Sequence, residues 1–515
     1  MSENGPKNGN AAVYFIDRHA AGPARGKPAF IEAWGAGRTL SYGDLAVESG
    51  RIAALYARHG IRREDRAAML VLDQIEFPII FWGSLKCGVV PVAINTLLAP
   101  AVYDSILRDS RARALFVSQE LFPQVAPLIP ENPYLDAVFV IGGGAREGWH
   151  DFAAELAAGD SAATLPVAPD EQAFWLYSSG STGEPKGVRH VHGSLQATAD
   201  TYGAQVLQIA EDDLVFSAAK LFFAYGLGNA MTFPMAVGAS TVLLNGRPTP
   251  DVAFDILKKH EPTIFCAVPT LYAAMLAANP EAAHFGARLR RCISAGEALP
   301  EEVGKNWRAL SGTDILDGVG STEMLHIFLS NAPSDVVYGT SGTAVPGYDL
   351  RLVDEAGDEV GVGEIGELLV RGDSAAADYW NQRAKSRATF EGAWTRTGDK
   401  YERREDGRLV YCGRTDDMFK VSGIWVSPFE VEQALIAHPA VMEAAVVAAR
   451  DEDGLEKPKA FVVLLPDAET NGLDDALKEH VKTQVGMWKY PRWIEVVTDL
   501  PKTATGKIQR FKLRG

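Results

Sequence analysis

Cysteine is scarce in this chain of 515 residues, and its four copies are far apart. They are Cys87, Cys266, Cys292 and Cys412, so no C-x-x-C pair occurs. A disulfide framework or a cysteine zinc site is therefore not expected, and a reduced, cytoplasmic setting fits. The polar start of the chain, Met1–Asn10, has no apolar stretch of the kind that a secretory signal peptide carries.

Positively charged side chains are also fewer than negatively charged ones. The chain has 50 lysines and arginines against 66 acidic residues, a formal net charge of -16. Such a protein has no global field that would attract nucleic acid or an anionic membrane. A polyanionic ligand must then be held by local features, as backbone amides and a few lysines hold the phosphates of a nucleotide.

Long hydrophobic runs are nearly absent. Residues 221–246 carry no charged side chain and would be long enough to span a bilayer. The stretch is, however, interrupted by Gly226, Gly228, Asn229, Pro234 and Gly238. We therefore predict buried strand, turn and helix there.

The apolar runs that do occur are short and alternate with amphipathic helical patterns. Runs at 67–72, 88–94, 114–118, 137–143 and 240–244 read as strands, and Tyr42–His59 and Pro250–His260 as helices. This alternation predicts an α/β fold with mostly parallel sheets in a large N-terminal domain of several subdomains. Asp406-Gly407 between alternating runs predicts a hairpin, and a small mobile α+β domain follows it. We place the domains at 1–413 and 418–515, with a hinge at 414–417.

The strongest local motif is the Gly/Ser/Thr-rich loop Tyr177–Gly187, which follows a strand-like run. Its backbone can turn tightly and aim N–H and O–H donors at an anion, and Lys186 adds a positive charge. It is not a Walker A loop, since no G-K-[ST] occurs. The same composition is also found in ordinary surface loops.

Three weaker motifs carry candidate polar groups. Thr322 and Glu323 end the segment 317–323, where a hydroxyl beside a carboxylate suits a hydrated Mg²⁺, although an exposed glutamate on a turn is the common alternative. Asp399 offers a carboxylate to ribose hydroxyls. Lys507 follows a glycine in a polar loop, where most lysines are simply solvated.

Together these segments resemble the adenylate-forming superfamily of acyl-CoA synthetases, adenylation domains and luciferase. The motifs in order are YSSGSTGEPKG at 177–187, SAGEALP at 294–300, GSTE at 320–323, TGD at 397–399, GRTDDMFKVSG at 413–423 and PKTATGK at 501–507. The resemblance covers nearly the whole chain. Long strings around 219–235, 320–331 and 501–514 resemble the benzoate-CoA ligase branch in particular.

The resemblance implies roles for individual residues. The ATP and AMP contacts it implies are Ser178, Ser181, Thr182, Gly183, Lys186, Gly296, Glu297, Ala298, Asp317, Gly318, Val319, Gly320, Ser321, Thr322, Asp399 and Arg414. The catalytic groups it implies are Lys507, Thr322 and Glu323, with Glu323 also the Mg²⁺ carboxylate. Many members have an aromatic residue where this chain has Val319, so adenine is expected to rest on aliphatic contacts.

The resemblance also implies the acid pocket, the coenzyme A contacts and the hinge. The acid pocket is implied at Phe223, Ala224, Tyr225, Gly228, Gly320, Met324, His326 and Ile327. Gly423, Ile424 and Trp425 are implied to contact coenzyme A, and Asp416 to be the hinge residue. The pocket is short, apolar and aromatic, which suits benzoate better than a fatty acid. His326 is assigned to the pocket wall without proton transfer, and no metal is assigned to His190 and His192.

The activity implied is ATP-dependent ligation of an aromatic acid to coenzyme A through an acyl-adenylate, the first step of aromatic acid degradation. Transfer to a carrier-protein thiol is an alternative, disfavoured because no carrier domain follows Gly515. Oxygenation of the adenylate and a non-catalytic binding role are further alternatives; Lys507 and Glu323 argue against the latter. The ring substituents accepted stay open, as does the oligomeric state. A homodimer, and a lysine acetyltransferase and deacetylase acting on Lys507, are expected partners by resemblance alone.

Overall fold

The computed structural model describes residues 8–146, 148–179, 185–278, 286–421, 424–452, 454–466, 468–502 and 508–514, without the side chains of Ser179, Lys420, Ile424 and Trp425. Two compact units are present. The first comprises Met1–Asp349 and Val370–Thr395, and the second Leu350–Leu369 and Arg396–Gly515. The expected hinge at 414–417 lies inside the second unit, and the domain borders at 413 and 418 stay a prediction.

Helices and strands alternate along much of the first unit, and the bounds given next cover both units. The α-helices are α1 Arg18–Ala20, α2 Tyr42–Arg58, α3 Glu76–Cys87, α4 Pro100–Ser110, α5 Phe122–Val125, α6 Phe152–Ala157, α7 His192–Thr198, α8 Ala224–Leu227, α9 Phe233–Val237, α10 Pro250–His260, α11 Pro269–Ala278, α12 Glu301–Ser311, α13 Arg383–Thr389, α14 Pro428–Ile436 and α15 Leu473–Val485. The strands are β1 Pro28–Glu32, β2 Thr39–Ser41, β3 Arg66–Leu70, β4 Val90–Ala93, β5 Ala114–Ser118, β6 Ala137–Ile141, β7 His150–Asp151, β8 Gln172–Ser179, β9 Pro185–Val191, β10 Leu214–Ser217, β11 Ser240–Leu243, β12 Ile264–Ala267, β13 Arg291–Ala295, β14 Ile315–Gly320, β15 Ile327–Ser330, β16 Thr343–Ala344, β17 Asp349–Val353, β18 Ile365–Arg371, β19 Asp378–Tyr379, β20 Phe390–Glu391, β21 Trp394–Arg403, β22 Leu409–Arg414, β23 Phe419–Val421, β24 Ile424–Val426, β25 Val441–Arg450, β26 Glu456–Leu464 and β27 Trp493–Val496.

Two large, mostly parallel sheets form the first unit. One has the order β19-β9-β8-β4-β3-β5-β6-β7 and is parallel from β8 to β7. The other has the order β16-β15-β14-β13-β12-β10-β11-β1-β2 and is parallel from β14 to β1. The interior strand β12 is buried along its whole length, as a parallel strand covered on both faces must be. The predicted α/β class with parallel sheets is confirmed.

Helices cover these sheets through large apolar side chains. Trp307 of α12 and Tyr272 of α11 are fully buried against Phe265 of β12, with ring centroids of Tyr272 and Trp307 4.7 Å apart. Full burial of each such side chain contributes about 1.5–3 kcal/mol. The core therefore fixes the strands whose ends carry the candidate site.

The uncharged stretch 221–246 folds as predicted into short helices and a strand, α8, α9 and β11. A π-helical segment, Gly228–Thr232, joins the two helices. Among the described residues, no helix is both long enough and apolar enough to cross a membrane.

The second unit contains antiparallel sheet and two helices. β21 and β22 pair antiparallel across the turn that contains Asp406 and Gly407, which confirms the predicted hairpin. A three-stranded sheet, β25-β26-β27, packs on α14 and α15 through residues such as Val431 and Leu477. The predicted small α+β portion near the C-terminus is confirmed.

Candidate active site

The carboxyl edge of the nine-stranded sheet gathers several of the motifs. β13 ends at Ala295, immediately before Gly296–Ala298, and β14 ends at Gly320, immediately before Ser321–Glu323. Neighbouring parallel strands end at the same edge of a sheet, where α/β proteins bind ligands. Gly296 has φ +98°, a conformation that a side chain would strain. The β13 and β14 motifs, separate in sequence, are thus neighbours at one edge.

Glu323 lies in a cluster with Lys186 and Tyr379. The Tyr379 hydroxyl donates to Glu323 Oε1 at 2.7 Å, and Lys186 Nζ donates to that hydroxyl at 3.3 Å. Lys186 Nζ is also 3.5 Å from Glu323 Oε1 and 4.4 Å from the Tyr379 ring centre. The Tyr379 hydroxyl therefore bridges the Lys186 ammonium and the Glu323 carboxylate, whose side chains are each about one-sixth exposed.

Tyr379 was not predicted from the sequence. It lies in β19, which pairs with β9 so that Tyr379 is opposite Val188, two residues after Lys186. Nothing in its local sequence distinguishes it, because a tyrosine in a short apolar run is usually a packing residue. Only the pairing of β9 with β19 brings it to Lys186.

His190 holds the backbone of the 320–323 motif. Its Nε2–H donates to the carbonyl oxygen of Thr322 at 2.9 Å, and its ring stacks on Phe174 at 5.1 Å. Burial lowers the pKa of His190 to about 4, so the ring is neutral at pH 7. His192 is also buried, and its Nδ1 accepts from the Ala11 amide. These contacts give both histidines structural roles, which sequence spacing alone could not assign.

Three aromatic rings, two of them buried, surround His326, one of the residues expected to line the acid pocket. The His326 ring lies 4.5 Å from the Phe233 ring, 5.2 Å from Tyr202 and 5.8 Å from Tyr225, measured between centroids. His326 Nε2–H donates to the Tyr225 carbonyl at 3.3 Å, and burial lowers the pKa of His326 to about 3. A neutral imidazole fits the wall role predicted for it. Phe233 and Tyr202 were not predicted.

Two glycines make room for this arrangement. A Cβ on Gly228 would lie 2.4 Å from His326 Cδ2, and one on Gly320 would lie 2.5 Å from the His326 carbonyl oxygen. The structure therefore brings together Gly228, Gly320 and His326, three of the residues expected in the acid pocket; their role there stays a prediction. The Tyr225 hydroxyl lies 3.2 Å from the Ala267 carbonyl oxygen and 3.1 Å from the Ile293 carbonyl oxygen, which share its single proton, so its ring is fixed against β12 and β13.

The remaining expected contacts in this unit are placed by the same strands. Met324 and Ile327 are buried, Phe223 and Ala224 are partly exposed, and Gly318 packs closely on Ile327. The Asp317 side chain is buried, and burial raises its pKa well above the ordinary value. Ser178 is opposite Lys186 in the β8–β9 pair, and its hydroxyl oxygen is buried.

The second unit carries the expected ribose carboxylate. Arg414 Nη1 donates to Asp399 Oδ1 at 2.9 Å and to the Thr397 carbonyl at 2.9 Å. The Thr415 amide donates to the Gly398 carbonyl at 2.8 Å, which joins the two motifs across β21 and β22. Asp399 and Arg414, which the resemblance assigns to the nucleotide, therefore form an ion pair in this unit.

The expected hinge is tied to the end of the chain. Arg514 donates to the carbonyl oxygen of Asp416 at 3.1 Å and to the carboxylate of Asp417. Arg510 makes two hydrogen bonds to Glu432, at 2.6 and 2.9 Å, and contacts Asp417 at 3.4 Å. The expected hinge is therefore tied to Arg510 and Arg514, which follow the Lys507 motif in the sequence.

Some expected residues lie outside the described part of the chain. They are Ser181, Thr182, Gly183, Gly423 and Lys507. Ile424 and Trp425 are described only as backbone in β24. Their roles stay predictions.

Residues 16–380 match the AMP-binding enzyme family, and residues 430–507 match the AMP-binding enzyme C-terminal domain. The benzoate–CoA ligase of Thauera aromatica is 54% identical over 514 residues, which cover 99% of this chain and 96% of that protein. The 4-hydroxybenzoate–CoA/benzoate–CoA ligase of Rhodopseudomonas palustris is 53% identical over 510 residues, covering 98% and 94%.

A solved structure of similar fold is the benzoate CoA ligase from Burkholderia xenovorans LB400. It has a TM-score of 0.90 and 47% identity, and the match covers 98% of this chain and 100% of that one. Family match and full-length identity agree with the motifs gathered at the carboxyl edge of the sheet. This chain belongs to the AMP-binding enzyme family.

Proposed function

We propose that this enzyme ligates benzoate, or a closely related aromatic acid, to coenzyme A through an acyl-adenylate, consuming ATP and releasing AMP and pyrophosphate. The observation that carries the proposal is full-length identity of 53–54% to ligases of this class. The aromatic surroundings of the expected acid site, where the Tyr225 and His326 rings lie 5.8 Å apart, support an aromatic acid. We place this reaction in the cytoplasm, as the first step of aromatic acid degradation.

The first half-reaction joins two anions, the acid carboxylate and the α-phosphate of ATP. Lys186 offsets part of their repulsion, and the resemblance assigns a second positive charge to Lys507. Glu323 fits a Mg²⁺ ion, because it presents carboxylate oxygens beside Lys186, in the region that the resemblance assigns to the ATP phosphates. Bound there, Mg²⁺ would neutralise phosphate charge. His190 keeps Thr322 in place by holding its carbonyl oxygen.

The second half-reaction transfers the acyl group to a thiol. We infer that coenzyme A is the acceptor, since the relatives of highest identity above are coenzyme A ligases along their whole length. A carrier-protein thiol is the competing acceptor. The p-hydroxybenzoic acid–AMP ligase FadD22 of Mycobacterium marinum, 32% identical, shares only 69% of its length with this chain.

The direct test is AMP release with ATP and Mg²⁺, with and without coenzyme A, across benzoate, hydroxy-, amino- and halobenzoates, hexanoate and acetate. Turnover that depends on coenzyme A and favours benzoate-type acids is expected. Pyrophosphate exchange without that turnover would indicate a carrier-protein acceptor, and a preference for hexanoate would contradict the aromatic pocket.

The pocket gives a sharper prediction at Gly228. In Gly228→Ala, the new methyl group meets His326, which cannot move away because Tyr202, Phe233 and Tyr225 surround it. We expect the KM for benzoate to rise about tenfold or more, in line with the 1–3 kcal/mol effect of one carbon atom in such a pocket. The KM for ATP should stay within about twofold of wild type. Initial rates in each substrate measure both.

Gly246→Ala is the matched control, because its Cβ would meet only Leu244 at an ordinary 3.9 Å. It should leave both KM values unchanged. An unaltered benzoate KM in Gly228→Ala would place the acid elsewhere.

The hinge role of Asp416 is a further proposal. In Asp416→Pro, the ring fixes φ and biases Thr415 to extended backbone, so one arrangement of the hinge should be lost. We expect adenylate formation to persist while acyl transfer to coenzyme A falls at least about tenfold, as for other hinge changes that gate a step. Single-turnover assays of each half-reaction measure the split. Asp416→Ala retains backbone freedom and should transfer normally; equal rates in the two variants would contradict the hinge role.

A further inference from the structure

Two histidines and a glutamate meet at the outer edge of the eight-stranded sheet. His59 follows the last residue of α2, His150 begins β7, and Glu155 lies in α6. Their side chains are partly buried, with 15%, 38% and 25% of each exposed. None of them belongs to the nucleotide or acid site described above. The three come from separate elements, so their meeting is a product of the fold.

Their ligand atoms are spaced for a small ion. His59 Nε2 is 3.2 Å from Glu155 Oε2, and His150 Nδ1 is 3.6 Å from Glu155 Oε1. One ligand atom from each residue lies within 4.8 Å of the others. Four ligands at 2.0–2.1 Å around a tetrahedral zinc ion are about 3.3–3.4 Å apart. The two histidine-to-carboxylate separations lie close to that value, one at each oxygen of Glu155.

Neighbouring side chains hold the three residues in place. The Phe139 ring, fully buried, contacts both imidazoles, with centroids 4.9 Å from His59 and 5.5 Å from His150. Arg58 donates to Glu155 Oε2 and also to the Glu155 carbonyl oxygen. The rings are therefore oriented by packing, and the carboxylate is anchored by its Oε2 side while Oε1 faces His150.

His59 provides a second observation. Its Nε2 atom is shielded from solvent and has no hydrogen bond of suitable geometry among the described residues, although Glu155 Oε2 lies 3.2 Å away. A buried ring nitrogen without an aligned donor or acceptor is costly unless another group satisfies it. A metal ion bound at this nitrogen would satisfy it.

We propose that His59, His150 and Glu155 bind one divalent transition-metal ion of the zinc class. Two imidazole nitrogens and one carboxylate oxygen are ligands that suit zinc, nickel and copper, whereas magnesium prefers oxygen alone. Three protein ligands leave one position for water, and the more exposed His150 side gives access to it. The ion would clamp the end of α2 to β7 and α6, a stabilising role separate from ligation chemistry.

The test is zinc binding to untagged, full-length protein that has been dialysed against a chelator. Competition with a chromogenic chelator should show one saturable site with a Kd in the micromolar range or below. His59→Gln, His150→Gln and Glu155→Gln should each weaken binding at least about tenfold, since loss of even an outer-sphere partner costs 10–100-fold. Added zinc should raise the thermal midpoint of wild type and not of these variants.

His438→Gln is the matched control. The His438 and His480 rings also lie close, 5.3 Å apart, but no third ligand completes that pair among the described residues. Its zinc affinity should equal that of wild type. Activity on the aromatic acid should be retained in all these variants, which verifies that they are folded and keeps this test independent of the proposed activity.

Absorbance of the cobalt-substituted protein gives a second readout. Tetrahedral cobalt bound by two imidazoles and a carboxylate should show visible d–d bands that Glu155→Gln weakens or abolishes. The absence of saturable zinc binding to wild type, or binding that the three substitutions leave unchanged, would overturn the proposal.

Discussion

Lys507→Ala is expected to slow acyl-adenylate formation by roughly 10³-fold while leaving transfer from supplied acyl-adenylate to coenzyme A within a few-fold of wild type. The reason is charge. Attack of a carboxylate on the α-phosphate crowds negative charge into one transition state, and a lysine ammonium placed there acts only while that charge develops. The second half-reaction starts from an adenylate already formed and needs no such cation.

Lys502→Ala is the control for this prediction. Lys502 belongs to the same C-terminal stretch but pairs with Glu443 at 2.7 Å and with Asp499 at 3.5 Å on the surface. Such a partly exposed pair contributes about 0–1 kcal/mol to stability, so its loss should leave both half-reactions intact. Pyrophosphate exchange and single-turnover acyl transfer measure the halves separately. Equal losses in both halves for Lys507→Ala would contradict its assignment to adenylation.

The sequence predicted the class of fold and the order of its parts because hydrophobic periodicity is local information. The runs at 114–118 and 137–143 became β5 and β6, and Pro250–His260 became α10 with the predicted bounds. The hairpin around Gly407 followed from two adjacent residues. Which strand lies beside which could not be read from periodicity, since β13 and β14 pair across an intervening helix, α12.

The sequence motifs predicted the candidate site. They did not reveal the residues from distant parts of the chain whose hydrogen bonds and ion pairs fix the motif residues in position. Tyr379 donates a hydrogen bond to Glu323, 56 residues away in the sequence, and His190 donates one to the Thr322 carbonyl, 132 residues away. Arg510 contacts the carboxylate of Asp417, 93 residues away in the sequence. These partners have no local pattern of their own, because a tyrosine, a buried histidine and a terminal arginine are each common for structural reasons. Their roles come only from the pairing of distant elements.

Glu323 is the second residue at which a large effect is expected. Glu323→Gln keeps the size of the side chain and an acceptor oxygen for the Tyr379 hydroxyl, but removes the negative charge beside Lys186. An amide binds Mg²⁺ less well than a carboxylate, which is the ligand that this hard cation prefers. We expect the rate of adenylate formation to fall about 10²-fold or more. Loss of a carboxylate contact worth about 1.4 kcal/mol lowers affinity tenfold, so the Mg²⁺ concentration for half-maximal rate should rise about tenfold or more.

Tyr379→Phe separates this charge effect from the hydrogen bond. Phenylalanine keeps the ring under Lys186, 4.4 Å from its Nζ, and removes only the hydroxyl that bridges Lys186 and Glu323. A hydrogen bond to a charged group is worth about 1.5–3 kcal/mol, so a loss of roughly tenfold to a hundredfold is expected, without a change in Mg²⁺ dependence. Because the two residues are in contact, the double variant should lose less than the product of the single losses. If Glu323→Gln keeps the wild-type Mg²⁺ dependence, this carboxylate does not bind the metal. If the rate losses of the two single variants multiply strictly in the double variant, Tyr379 acts on the substrate independently of Glu323.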